Sequence, residues 1–176
     1  MTREEKNACS HRGKALYQMK HYIHKQYGSR HLVVPLAVIV KNGQIIITKR
    51  NDPYRPKFHK KWEFPGGSME FGETIEQNLI REVKEETGLK IKPLQQLRPI
   101  YIKSQKYVNG NYQVFLVPYL CTVISQSEKI NDAEVLDLKW IKLDEFNKYT
   151  FVGENKNLFR KILPELKILM NKYKLN

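Results

Sequence analysis

Apolar and polar residues recur with two distinct periods along this chain. Between residues 15 and 27, Leu16, Met19, Ile23 and Tyr27 return every three or four positions, which predicts an amphipathic helix ending at Gly28. Residues 32–41 and 44–49 are β-branched runs separated by Asn42-Gly43, the strongest short-range signal of a hairpin. Residues 51–61 read as a polar, proline-containing loop. A short strand is expected over 62–64, stopped by Pro65-Gly66-Gly67. Thr74 and Gln77 make a capping box that opens a helix, and Gly88 is its natural stop. Further strands are predicted over 100–107 and 112–122, joined near Asn109-Gly110-Asn111, and around 137–141. The tail over 155–173 is helical by pattern, with Leu158, Ile162, Leu166, Leu169 and Tyr173 on one face and Pro164 as a kink or restart.

A chain of 176 residues, 41% of them hydrophobic, is expected to build one compact domain with a real core. Its longest apolar run, 33–40, is interrupted by Pro35 and falls far short of the roughly 20 residues a membrane helix needs. No membrane partner is expected. Met1 is followed by charged residues rather than an apolar signal region. Cys9 and Cys121 stand far apart without a Cys-x-x-Cys, so neither a disulfide framework nor a zinc knuckle is expected, and a reducing cytoplasm is the expected location.

The net charge of +13 has two readings: a polyanionic partner, or a solvated lysine surface in a chain where lysine outnumbers arginine 23 to 8. Residues 1–31 read as a basic helical extension, with seven Lys and Arg against two Glu, and four of the five histidines. His21 and His24 are spaced to share a metal, but with no carboxylate or cysteine nearby they read as exposed helix residues.

Chemistry concentrates elsewhere. From Glu63 to Glu86 there are seven glutamates and two bases, a local charge of −5. Glu82, Glu85 and Glu86 stand at i, i+3 and i+4, so a helix gathers them within an arc of roughly 100°. Leu79, Ile80 and Val83 lie on another face, expected to pack on the core. Like charges at this spacing repel. The alternatives are a solvated acidic face and a site for a hard divalent cation, which clustered carboxylates suit. The preceding Pro65-Gly66-Gly67 turn lets backbone approach a ligand closely, and Arg81 is placed to pair with Glu73 and fix the loop against the helix.

Read as a string, Gly67, Glu73, Arg81-Glu82-Val83, Glu85-Glu86 and Gly88-Leu89 form the complete 23-residue signature of the Nudix hydrolases, which this chain closely resembles. The resemblance implies an α/β/α fold, a mixed sheet sandwiched between helices, over residues 32–176. It implies hydrolysis of a nucleoside diphosphate linked to another moiety, with Mg²⁺ or Mn²⁺ as cofactor. On this sequence, Glu82, Glu85 and Glu86 become metal ligands, one of them a candidate base, with the Gly66 carbonyl as a further ligand and Arg81 and Glu73 as braces.

Within the family, Trp62-Glu63-Phe64-Pro65-Gly66-Gly67 with Met69-Glu70 and Gly72-Glu73-Thr74 resembles MutT-type nucleoside triphosphate pyrophosphatases. Downstream, Glu134, Trp140, Phe151 and Asn155 match the MutT spacing of a metal-site loop glutamate, a Trp, a Phe and a base-reading Asn, although Val152-Gly153 replaces a Pro-Pro. The alternative is that Trp140 and Phe151 are core and Asn155 caps the last helix. Arg50, at the end of a strand, is a candidate phosphate or base contact, and Glu63 is assigned to the substrate side.

The expected substrate is a nucleoside triphosphate, oxidised forms such as 8-oxo-dGTP included, cleaved to monophosphate and pyrophosphate. A dinucleoside polyphosphate or an RNA 5′ end is the alternative, motivated by Tyr107, at the spacing of diadenosine polyphosphate hydrolases, and by the charge. A non-catalytic Nudix-like module is disfavoured by the intact signature. Monomer and homodimer both stay open.

Overall fold

The computed structural model describes residues 15, 16, 18, 19, 29–107, 110–125 and 132–175. The chain divides into two compact units, one of residues 33–101 and 115–176, the other of 1–32 and 102–114. Strands β1 (Ser29–Lys41), β2 (Gln44–Arg50) and β3 (Trp62–Glu63) come first, then helix α1 (Ile75–Thr87). After β4 (Lys90–Gln96), β5 (Tyr101–Tyr107), β6 (Gly110–Ser125) and β7 (Val135–Lys142) come a 3₁₀ segment (Leu143–Lys148) and helix α2 (Asn155–Tyr173).

The sheet runs β3-β2-β1-β6-β4, and β7 pairs antiparallel along β2 from Gln44↔Lys142 to Arg50↔Val135. Strand alternation explains why β1 and β2 read as continuous apolar runs, since both sheet faces are covered. Leu36, Val38, Val40, Ile45 and Ile47 face α2, packing with Leu158, Phe159, Ile162 and Leu166. Ala37, Ile39 and Ile46 face α1, packing with Leu79 and Val83. Each fully buried aliphatic side chain contributes about 1.5–3 kcal/mol. Helices therefore stand on both faces of the sheet, the architecture the resemblance implied.

Local chemistry sets the element ends. Asn42 and Gly43 both take positive φ, 49° and 70°, as the hairpin turn requires. The Thr74–Gln77 capping box forms in both directions, and Gly88 closes α1 with φ 73° and its N–H on the Lys84 carbonyl. In the smaller unit β5 pairs with β6, and Gln113 Nε2 donates to Ser104 Oγ at 3.4 Å.

Several expectations need correction. Strand β1 begins at Ser29 rather than 32, and β7 spans Val135–Lys142 rather than 137–141. Strand β4 was not expected; it carries Pro93 because it is an edge strand with bulges on either side of that residue. Ile80 does not join the core: it is 43% exposed while Leu79 and Val83 are fully buried. Pro164 does not interrupt α2, which is continuous through Tyr173. Of the N-terminal helix, residues 15, 16, 18 and 19 are helical and exposed; Cys9, His21, His24 and the Gly28 stop lie outside the described residues. No described helix is long and apolar enough to cross a membrane.

Candidate active site

Helix α1 is amphipathic, and burying Leu79 and Val83 leaves Glu82, Glu85 and Glu86 on the side of the glycine turn and Arg81. Glu86 is itself buried, and Gly66 N donates to its Oε2 at 3.3 Å. Glu82 lies directly on the glycine turn, where a Cβ added at Gly67 would collide with its carboxylate. At Gly66, φ is +142°, and a Cβ there would strike the Pro35 carbonyl of β1. Glycine is thus required at Gly66 by backbone conformation and close approach, whereas at Gly67 an added Cβ would displace the Glu82 carboxylate.

Arg81 ties the loop to the helix. Its Nε donates to Glu73 Oε1 at 2.6 Å and its Nη2 to Glu73 Oε2 at 3.1 Å, the bidentate fork that guanidinium geometry favours. Its Nη1 donates to Glu82 at 2.8 Å and to Glu85 at 3.2 Å. These bonds hold the Glu73 carboxyl down at about 2.

The second half of the cluster comes from β2, β3 and the loop before β7. Arg50 Nη1 donates to Glu63 at 3.2 Å, Nη2 to Glu134 at 3.4 Å and Nε to Asp52 at 3.1 Å. Each nitrogen of the guanidinium expected to meet substrate therefore already donates to a carboxylate, so Arg50 stands in this structure as an anchor for three acids.

Electrostatically the two arginines leave one group uncompensated. Burial pushes the Glu86 carboxyl well above the usual carboxylate range, and the charges of Glu63, Glu82 and Asp132 push the same way. Burial also raises Glu82 and Glu63, opposed by Arg81 and Arg50 respectively. Among the described residues, no three acidic or histidine side chains converge closely enough to hold one ion as they stand, with Arg81 Nη1 bonded to both Glu82 and Glu85. The donor chemistry nonetheless suits a hard cation: buried carboxylate oxygens, mutually repelling, beside glycine backbone.

The sequence profile of the NUDIX domain matches residues 29–162. This chain belongs to the Nudix hydrolase family. Over 126 residues it is 31% identical to the 8-oxo-dGTP diphosphatase of Buchnera aphidicola, covering 71% of this chain and 88% of that protein. It is also 31% identical over 112 residues to the NAD-capped RNA hydrolase NudC of Mannheimia succiniciproducens, and 33% over 105 residues to the ADP-ribose pyrophosphatase of Methanocaldococcus jannaschii. Those matches cover 62% and 58% of this chain but only 39% and 59% of the two relatives. Among solved structures, the MutT protein of Methanosarcina mazei superposes with a TM-score of 0.61 at 18% identity, covering 79% of this chain and 97% of that one, a likeness of fold.

The glutamates, glycines and arginine of the Nudix signature thus stand together, joined by Glu63, Arg50 and Glu134. Asn155 is tied to the neighbourhood of β3 through the Trp62↔Phe151 bridge and the Val152 N–H on the Trp62 carbonyl at 2.8 Å. It is buried, its Nδ2 donates to Val152 O at 3.0 Å, and its Oδ1 has no partner. It is not the cap of α2, a position held by Glu154. Phe151 is core, its ring 3.8 Å from that of Phe146. Tyr107 ends β5, and its side chain lies outside the described residues.

Three contributors escaped the sequence reading. Asn78 is fully buried on α1 and donates Nδ2 to Ser68 O and to Glu73 Oε2, both at 3.1 Å. Its i+3 and i+4 neighbours are Arg81 and Glu82, so it lies on the charged face of α1, where one more polar residue carries no distinct signal. Asp52 and Asp132 carry no signal, because neither belongs to the signature and both reach the cluster through space.

Proposed function

We propose that this Nudix protein hydrolyses the phosphoanhydride of a nucleoside diphosphate linked to another moiety, and that nucleoside triphosphates, oxidised ones included, are its substrates, released as monophosphate and pyrophosphate. The observation that carries this reading is the buried, uncompensated Glu86 set beside Glu82 on the glycine turn. A carboxylate buried among carboxylates costs stability unless a cation joins it. In the proposed site Glu82, Glu85 and Glu86 hold Mg²⁺ or Mn²⁺, with the Gly66 carbonyl and Glu134 as further donors. Such a cation, when bound, neutralises phosphate charge and lowers the pKa of bound water.

The chain's own residues do the rest. Arg81 and Glu73 fix the loop, so that the Gly66–Gly67 backbone keeps its position against α1. Arg50 holds Glu63 and Glu134 at the rim of the cluster. Asn155, with its unpartnered buried Oδ1, has one acceptor to offer a base edge. The 8-oxo-dGTP diphosphatase relative supports the triphosphate reading. Residues 1–31 are proposed as an extension outside a catalytic domain of 32–176; a profile match that starts at residue 29 supports that division.

The test is a panel of ordinary and oxidised nucleoside triphosphates, diadenosine polyphosphates and ADP-ribose, incubated with Mg²⁺ and separated by chromatography, with Glu85→Gln as blank. Preferential cleavage of one triphosphate is expected. Cleavage confined to the larger compounds would overturn the triphosphate reading.

A further inference from the structure

The loop between β2 and β3, residues 51–61, begins and ends in the candidate site: Arg50 precedes it, Glu63 follows it, and the two side chains meet at 3.2 Å. Its base is locked. Arg50 N donates to Lys61 O and Lys60 N to Arg50 O, both at 2.9 Å, while Asn51 Nδ2 donates to Ala133 O at 2.8 Å. Asp52 accepts from Arg50 Nε at 3.1 Å and Arg55 Nη2 at 2.8 Å, and its N–H donates to His59 Nδ1 at 3.1 Å. Lys60 is held at a φ of +61°, a left-handed conformation that lysine rarely adopts.

The outer side of this fixed loop has one chemistry. Residues 53–61 contain Arg55, Lys57, Lys60 and Lys61 and no Asp or Glu. Among the described residues Lys57, Lys60 and Lys61 have no ion-pair partner. Tyr54, next to Arg55 in the chain, is 96% exposed, and the Arg55 guanidinium lies 5.7 Å from the Phe58 ring. A solvated lysine face requires neither a locked backbone nor a bare aromatic ring. A single strand of nucleic acid uses both: phosphates meet the ammoniums, and an unpaired base stacks on the ring whatever its sequence.

We infer that the 51–61 loop is a ledge for single-stranded nucleic acid, holding nucleotides that continue from a 5′ end seated among the glutamates. This rests on the proposed phosphoanhydride chemistry for the placement of that 5′ end. Binding to the ledge needs no turnover, so it is measurable separately.

The experiment is fluorescence anisotropy of 3′-labelled single-stranded RNA and DNA of about twelve nucleotides, in EDTA, across a salt series. Wild type is compared with the triple variant Tyr54→Ser, Lys57→Ser, Lys60→Asn, in which asparagine tolerates the left-handed backbone. The variant is expected to bind about tenfold more weakly at low salt, with the slope of log K against log salt reduced by about 1.4, two ammoniums at about 0.7 each. Its melting temperature and its Mg²⁺-dependent hydrolysis of nucleoside triphosphates are expected to match wild type. Equal binding by the two proteins overturns the ledge, as does wild type that ignores single strands and binds duplex or anionic vesicles instead. If neither protein hydrolyses any nucleotide, the catalytic proposal fails while the anisotropy comparison still decides the ledge.

Discussion

Arg81 grips Glu73 through two parallel hydrogen bonds, at 2.6 and 3.1 Å, across the boundary between the glycine loop and α1. A lysine places one point charge where the fork makes two directed bonds. Arg81→Lys is therefore expected to fold while losing about 10–100-fold in activity, as removal of an outer-shell partner of a metal site does. Unchanged kinetics in that variant would show that the pairing has no positioning role.

The same pair predicts an acid dependence of stability. Glu73 is held at about 2, against 4.5 when unpaired. A carboxylate with a depressed folded value stabilises the fold above the unfolded value, and that contribution disappears as pH falls from about 4.5 through 2. Glu73→Gln removes the dependence. Denaturant midpoints at pH 6 and pH 3 should differ less in the variant than in wild type.

Glu86 predicts the opposite sign. Its carboxyl is raised by burial and by Glu63 and Glu82, so keeping it in the fold costs stability at neutral pH, and the cost shrinks as pH falls below the raised folded value and is gone below the unfolded one. Metal-free Glu86→Gln is expected to melt higher than metal-free wild type at pH 7.5, by about 2–4 °C for each kcal/mol relieved. The two should converge near pH 4. A lower melting temperature for the variant at pH 7.5 would contradict an uncompensated charge at that position.

Gly67→Ala tests the contact between the turn and Glu82. The added Cβ meets the Glu82 carboxylate, which must move. Circular dichroism should be native, while activity falls about 100-fold, the usual cost of a misplacement of about 1 Å in a reacting site.

Asn78 links the loop to α1 by two donor contacts, to Ser68 and Glu73. Asn78→Ala is expected to lower stability by about 1–3 kcal/mol, measured by denaturant unfolding, and to lower kcat more than it raises KM. A change confined to stability would make Asn78 structural only.

Elements whose information is local were legible in the sequence. The capping box and Gly88 bracket α1 closely, and Asn42-Gly43 marks its hairpin, because each acts through neighbouring backbone. Strand β4 was hidden because Pro93 and scattered lysines resemble a connector until its edge position is known. In the cluster, the α1 glutamates and Arg81 were legible through fixed spacing. The engagement of Arg50 by Asp52, Glu63 and Glu134 was not, since Glu134 lies 84 residues away and reaches Arg50 only once β7 pairs with β2.

The most direct test of the catalytic proposal is incubation of wild type and Glu86→Gln with dGTP and 8-oxo-dGTP, with Mg²⁺ and with EDTA, followed by separation of all phosphate products. Wild type should release monophosphate and pyrophosphate in equal amounts with Mg²⁺ and nothing in EDTA, and Glu86→Gln should be inert. Cleavage that persists in EDTA, or in Glu86→Gln at the wild-type rate, would contradict a cation-dependent reaction centred on the α1 glutamates.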